Sequence, residues 1–109
     1  MDQLTDVLTA LSHPSRRAII RQLASSGPTR FTDVADPLEV TLNAVTKHLK
    51  LLDRAGLILR ERQGREVFIS LRPEPLRLVA GWVHDYERYW SEQLDRFEGY
   101  FKERKRRRS

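Results

Sequence analysis

The chain offers few side chains suited to bond-making chemistry: three histidines, no cysteine, and no conventional catalytic motif. His84 and Glu87 stand one helical turn apart, a spacing that supplies half of a metal site, and two ligands do not complete a tetrahedral zinc centre. His13 precedes Pro14 and is expected to cap or pack at a helix junction. His48 lies among polar and basic neighbours, where its ring could donate to a phosphate or a base edge and could equally pack beside Leu52. No two histidines are close enough to read as a catalytic pair. The five glycines, at 27, 56, 64, 81 and 99, form no phosphate-cradling loop, and there is neither an HExxH sequence nor a nucleophile elbow. Enzymatic activity therefore has no support in the sequence, and neither a cofactor nor a metal is expected. Lack of cysteine also excludes disulfides and thiol redox sensing, and suits a reducing compartment.

What remains is charge, and its distribution is informative. The 109 residues carry a formal charge of +5, all of which the segment Lys102 to Arg108 provides. Residues 1–40 sum to −1, residues 41–65 to +4 and residues 66–101 to −3. A short internal basic segment flanked by acidic ones attracts phosphate groups, whereas the basic end reads equally well as a solvated tail. The first residues, with early acids and no long apolar run, resemble neither a leader peptide nor a membrane span, so a soluble cytoplasmic protein is expected.

The basic segment needs elements to hold it. Leu4, Val7, Leu8 and Leu11 fall at helical spacing after Asp2, a suitable N-cap, predicting a helix over residues 2–11. Pro14 opens a second helix that buries Ile19, Ile20 and Leu23 and stops at Ser25-Ser26-Gly27-Pro28. Phe31, Val34, Ala35 and Leu38 suggest a third, shorter helix that Pro37 truncates. Thr41 then caps a helix with Val45, Leu49 and Leu52 inward, ending near Ala55 before Gly56. Strands over residues 57–62 and 66–71, joined by Gln63-Gly64, complete a hairpin.

Two short helices in succession, the second basic on its outer face, followed by a hairpin with arginines near its tip, predict a winged helix-turn-helix. A helix about 10–12 Å wide fits the major groove of B-DNA, where small polar residues reach base edges and flanking cations hold phosphates. Lys50 belongs to that outer face, and Arg62 and Arg65 would meet the adjacent DNA backbone or minor groove.

Three stretches, LTALSHPSRRAIIRQL, VTLNAVTKHLKLLDRAGLI and LRERQGREVFISL, make residues 4–71 resemble the ArsR/SmtB-type winged-helix transcriptional repressors. The resemblance implies that Thr41, Asn43, Ala44, Thr46, Lys47 and His48 are recognition-helix positions and that Arg62, Gly64 and Arg65 form the wing. Two departures stand out. Glu39 occupies a place where the family usually has glycine, and with Pro37 it predicts a wider turn before the recognition helix. The third helix carries no thiol ligand, and Arg72, Pro73 and Glu74 stand where partners of His84 and Glu87 would be, so metal sensing is not expected.

Seven of the nine aromatic residues lie between Trp82 and Phe101. Leu76, Val79, Trp82, Val83, Tyr86, Tyr89, Trp90, Leu94, Phe97, Tyr100 and Phe101 fall within about 140° of a helical wheel, predicting one helix from about Pro75 towards Lys105. A winged domain of this size cannot cover that stripe. A second copy of the helix can, with Leu4, Val7 and Leu8 of the first helix beside it, as the resemblance implies. The competing occupants are a small ligand held between the aromatic side chains or a heterologous protein; a membrane fits poorly because the polar face is rich in acids.

The expected architecture is mainly α with a small β-hairpin: a DNA-binding domain over residues 1–73, a dimerisation helix over 74–105 and a disordered basic tail over 106–109. The expected partners are double-stranded operator DNA and a second copy of the chain, giving a homodimeric repressor on an inverted repeat, with any effector unnamed. A winged-helix module for protein contacts is the alternative, favoured by the absence of net charge on residues 1–101.

Overall fold

A computed structural model describes residues 2–38 and 40–108, with side chains described as far as Lys102 and at Arg104. Chain order is α1 (Gln3–Leu11), α2 (Pro14–Ser26), β1 (Thr29–Arg30), α3 (Phe31–Ala35), a 3-10 turn (Asp36–Leu38), α4 (Leu42–Arg54), β2 (Ile58–Gln63), β3 (Glu66–Leu71) and α5 (Leu76–Arg108). Two compact units result, Met1–Val79 and Ala80–Ser109. Among the described residues no helix is long and apolar enough to cross a membrane.

The helix starts are written locally. Asp2 Oδ1 accepts from the Thr5 amide at 2.7 Å, His13 Nδ1 from Ser15 at 3.0 Å and Thr41 Oγ1 from Ala44 at 3.1 Å. Each satisfies an amide that has no partner in the first turn. Gly56 ends α4 in a Schellman arrangement, its N–H donating to Asp53 O and that of Leu57 to Leu52 O. The φ of +75° at Gly56 is strained for any residue with a Cβ. Pro37 lies in the 3-10 turn after α3, as its truncating effect predicts, while the turn geometry anticipated at Glu39 lies outside the described residues.

In the first unit, Val45, Leu49 and Leu52 of α4 are completely buried against Val7 and Ala10 of α1, Ile19 of α2, Val34 of α3 and Ile69 of β3. That corrects one expectation. Val7 lies in the core of its own chain and has no surface left for a dimer contact, because α1 turns one face to α4. Leu4 is half-buried, and Leu8 keeps 40% of its surface. Leu76 and Val79 pack partly against the same core.

The sheet contains a strand that sequence periodicity misses. Thr29 and Arg30 pair antiparallel with Ile69 and Phe68, so the order is β1-β3-β2. Two residues carry no alternation, and only the neighbouring strand makes them β. The hairpin register pairs Gln63 with Glu66, which moves the connection one residue on, to Gly64 and Arg65. Gly64 takes φ +65°, as two-residue hairpin turns require at their first position.

In the second unit α5 continues as a helix to Arg108, three residues past the expected end, and Ser109 lies outside the described residues. Its aromatic residues are open, Tyr89 at 62%, Trp90 at 55% and Phe97 at 60% of their surface. Trp82 and Tyr86 rings lie 5.4 Å apart and those of Phe97 and Phe101 4.7 Å apart, so the stripe is continuous along one face.

Candidate nucleic-acid interface

Burial divides α4 cleanly. Val45, Leu49 and Leu52 hold the helix down by their side chains, which leaves Asn43, Lys47 and Lys50 exposed on the opposite face. Thr41 is exposed at the cap. At the hairpin Arg62 and Arg65 are both exposed, Arg65 in the turn itself. These six residues are free to meet a ligand.

Three other expected contacts are less available. Ala44 is half-buried, and Thr46 is half-buried with its hydroxyl donating to Leu42 O at 2.9 Å, a common use of threonine inside a helix. His48 is turned inward, its Nδ1 accepting from Arg16 Nη1 at 3.1 Å and its ring centroid 4.7 Å from that of His13. Of the two roles open to His48 in the sequence, packing wins, although its neighbour is His13 rather than Leu52 alone.

Arg16 is the organiser that the sequence does not announce. It is 8% exposed, and Nε donates to Ala10 O at 2.8 Å while Nη2 reaches Thr9 O at 3.1 Å and Ser12 Oγ at 3.3 Å. The partner that a continuing helix would offer to the Ala10 carbonyl is Pro14, which has no N–H. Arg16 fills that vacancy and joins the α1–α2 corner to α4. Arg17 assists at 2.6 Å from Leu11 O. The signal available was Pro14 followed by two arginines just after a helix end, where cations satisfy terminal carbonyls.

Burial lowers the pKa of His48 below the ordinary imidazole value, and the positive charges of His13 and Arg16 lower it further. The folded state thus prefers neutral His48, and its stabilising effect is present above the unfolded pKa near 6.5 and lost as pH falls below it. Thermal melts of the wild type should show a lower Tm at pH 5.5 than at 7.5. His48→Gln, which keeps an acceptor for Arg16 and cannot titrate, should shrink that difference; an identical difference in the variant would remove His48 from the cause.

A groove of about 430 Å³ opens between the start of α3, the side of α4 and the hairpin, lined by Arg30, Thr32, Thr46, Arg60 and Arg65 among others. Arg30 and Arg60 were not singled out by sequence, although Arg60 shares a strand face with Arg62 by simple alternation. Arg30 Nε bonds Asp33 Oδ2 at 2.8 Å and Nη1 bonds Glu66 Oε1 at 3.2 Å, and these bonds raise its pKa above the usual arginine value. On α5, His84 and Glu87 form an exposed pair at 3.2 Å, and among the described residues no group of three or more possible metal ligands gathers.

Comparison with known proteins places this geometry. A family model described as a helix-turn-helix domain matches residues 11–61, which include α2, α3 and α4. The HTH-type transcriptional repressor SmtB of Mycobacterium tuberculosis strain H37Rv is 39% identical over 80 residues, covering 73% of this chain and 58% of that protein. The chain spans 57–58% of the length of several such curated mycobacterial relatives. Among solved structures, the homodimeric winged helix-turn-helix DNA-binding domain of Mb0332 from Mycobacterium bovis aligns with a TM-score of 0.64 at 25% identity, covering 79% of this chain and 82% of that one. The crystal structure of an ArsR family transcriptional regulator aligns with a TM-score of 0.74 at 31% identity, over 82% of this chain and 91% of that one. With its winged helix-turn-helix architecture and a near full-length relative at that identity, the chain belongs to the ArsR/SmtB family of helix-turn-helix transcriptional regulators.

Proposed function

We propose that the protein is a homodimeric transcriptional repressor that binds an inverted-repeat operator, with α4 in the major groove and the hairpin on the flanking backbone. The observation that carries this reading is the division of α4, whose inner face is wholly buried while Asn43, Lys47 and Lys50 stand exposed, as do Arg62 and Arg65 of the hairpin. An amide and two ammonium groups on one helix face suit base edges and phosphates respectively. Two copies related by a two-fold axis would set two such helices about one DNA turn apart. Repression then follows from occupying a promoter.

Footprinting on the DNA upstream of the coding region, repeated at several salt concentrations, tests the reading. A protected inverted repeat and a steep salt dependence are expected; binding without sequence preference or salt dependence would instead favour a module for protein contacts. Lys47→Ala should weaken operator binding by about 1–3 kcal/mol if the ammonium reads a base and less if it meets a phosphate. The variant should keep the oligomeric state of the wild type, and an unchanged titration would strike Lys47 from the contacts.

A further inference from the structure

We infer that the groove between α3, α4 and the hairpin is a phosphate-binding site, built by Arg30, Arg60 and Arg65 with the hydroxyl of Thr32. Three guanidinium groups and one carboxylate, that of Glu66, line a space of about 430 Å³. Among the described residues the guanidinium groups of Arg60 and Arg65 form no ion pair, so two sets of donors on the lining of the groove are available to a ligand. Thr46 spends its hydroxyl proton on Leu42 O, and Thr32 is exposed and able to donate. Phe31 and Val67 add an apolar wall, which a bare anion does not need. The shape and charge fit a phosphate joined to an organic group, since guanidinium groups bind phosphate oxygens through paired N–H donors.

Glu66 sets the affinity. Its carboxylate accepts from Arg30 Nη1 at 3.2 Å while Asp33 holds Nε of the same guanidinium at 2.8 Å, so Glu66 is the carboxylate on the lining that offsets positive charge there. An arriving phosphate competes with Glu66 for Arg30, so the site is attenuated in the free protein.

The phosphate can belong to a DNA backbone passing between the recognition helix and the wing, in which case the proposal rests on the DNA-binding reading, or to a small phosphorylated molecule. The test uses a mixed-sequence duplex of 30 base pairs, because a backbone contact is sequence-independent, and adenosine monophosphate as the small probe. Wild type, Arg60→Gln and Glu66→Gln are compared after their melting temperatures establish that all three fold. If the duplex supplies the phosphate, Arg60→Gln weakens binding about three- to tenfold and lowers the salt slope by about one. Glu66→Gln tightens binding, a gain that loss of a purely structural ion pair would not produce.

If adenosine monophosphate is the better mimic, its titration shifts the amide resonances of residues 30–32 and 65–67, and Arg60→Gln abolishes the shifts. Failure of the wild type to bind the duplex together with those shifts would sink the operator reading and keep the phosphate site. Duplex binding that is identical in all three proteins, with no shifts from adenosine monophosphate, would overturn the site and leave operator binding standing. No duplex binding and no shifts would overturn both.

Discussion

Arg16→Met should lower folding stability by about 3 kcal/mol, read as a shift in the urea midpoint at constant slope. The replacement fills a similar volume but supplies none of the donors that reach Ala10 O, Thr9 O and Ser12 Oγ. Thr9 O retains the Ser12 amide and hydroxyl, so its loss is small. Ala10 is fully buried and Pro14 has no amide to offer, so its carbonyl is left without a donor. An unsatisfied buried carbonyl costs about 1–3 kcal/mol, and a lost hydrogen bond from a charged donor is worth about 1.5–3 kcal/mol. His48 also loses its partner, and the contact between the α1–α2 corner and α4 loosens with it. A loss below about 1 kcal/mol would mean that water replaces the guanidinium at little cost.

On the proposed dimer, Trp90→Ala should shift the protein towards monomer in sedimentation velocity at micromolar concentration. More than half of the Trp90 side chain is open in the single chain, and Tyr86, Tyr89, Leu94 and Phe97 are similarly exposed along the same helix. Isolated apolar residues on a surface are ordinary, whereas a contiguous aromatic stripe of this length marks an interaction surface. Truncation of a central tryptophan commonly costs 2 kcal/mol or more, about a thirtyfold increase in dissociation constant. Operator affinity should fall in parallel, because the proposed two-fold arrangement couples the half-sites. A sedimentation profile matching the wild type would place the dimer contact elsewhere and reopen the aromatic face to a ligand or a heterologous protein. Of the three α1 residues, Val7 is fully buried, which leaves Leu8 and the half-buried Leu4 with surface to offer a partner.

The helices, their caps and the buried side of α4 were legible from consecutive residues. A 3.6-residue period, a capping Asp or Thr and a glycine after the last turn are each local and act within a few positions of one another. Thus Thr41, Val45, Leu49, Leu52 and Gly56 define α4 before any contact is known, and the outward placement of Asn43, Lys47 and Lys50 follows from the same period. The hairpin was legible within one residue, and its turn shifted because cross-strand pairing, rather than strand composition, selects which two residues connect the strands.

Contacts between distant segments were decided only in three dimensions. Arg16 meets His48 across 32 residues, and nothing local distinguishes Arg16 from Arg17 or His48 from its polar neighbours. Thr29 and Arg30 become a strand only because β3 passes beside them. Arg30 and Arg60 join Arg65 in one groove by the same long-range packing. Periodicity determines which face of a segment is apolar, since that is a property of spacing. Which polar residues on the other face turn inward depends on the groups that a neighbouring element leaves unpaired, and these are set by how the chain closes on itself.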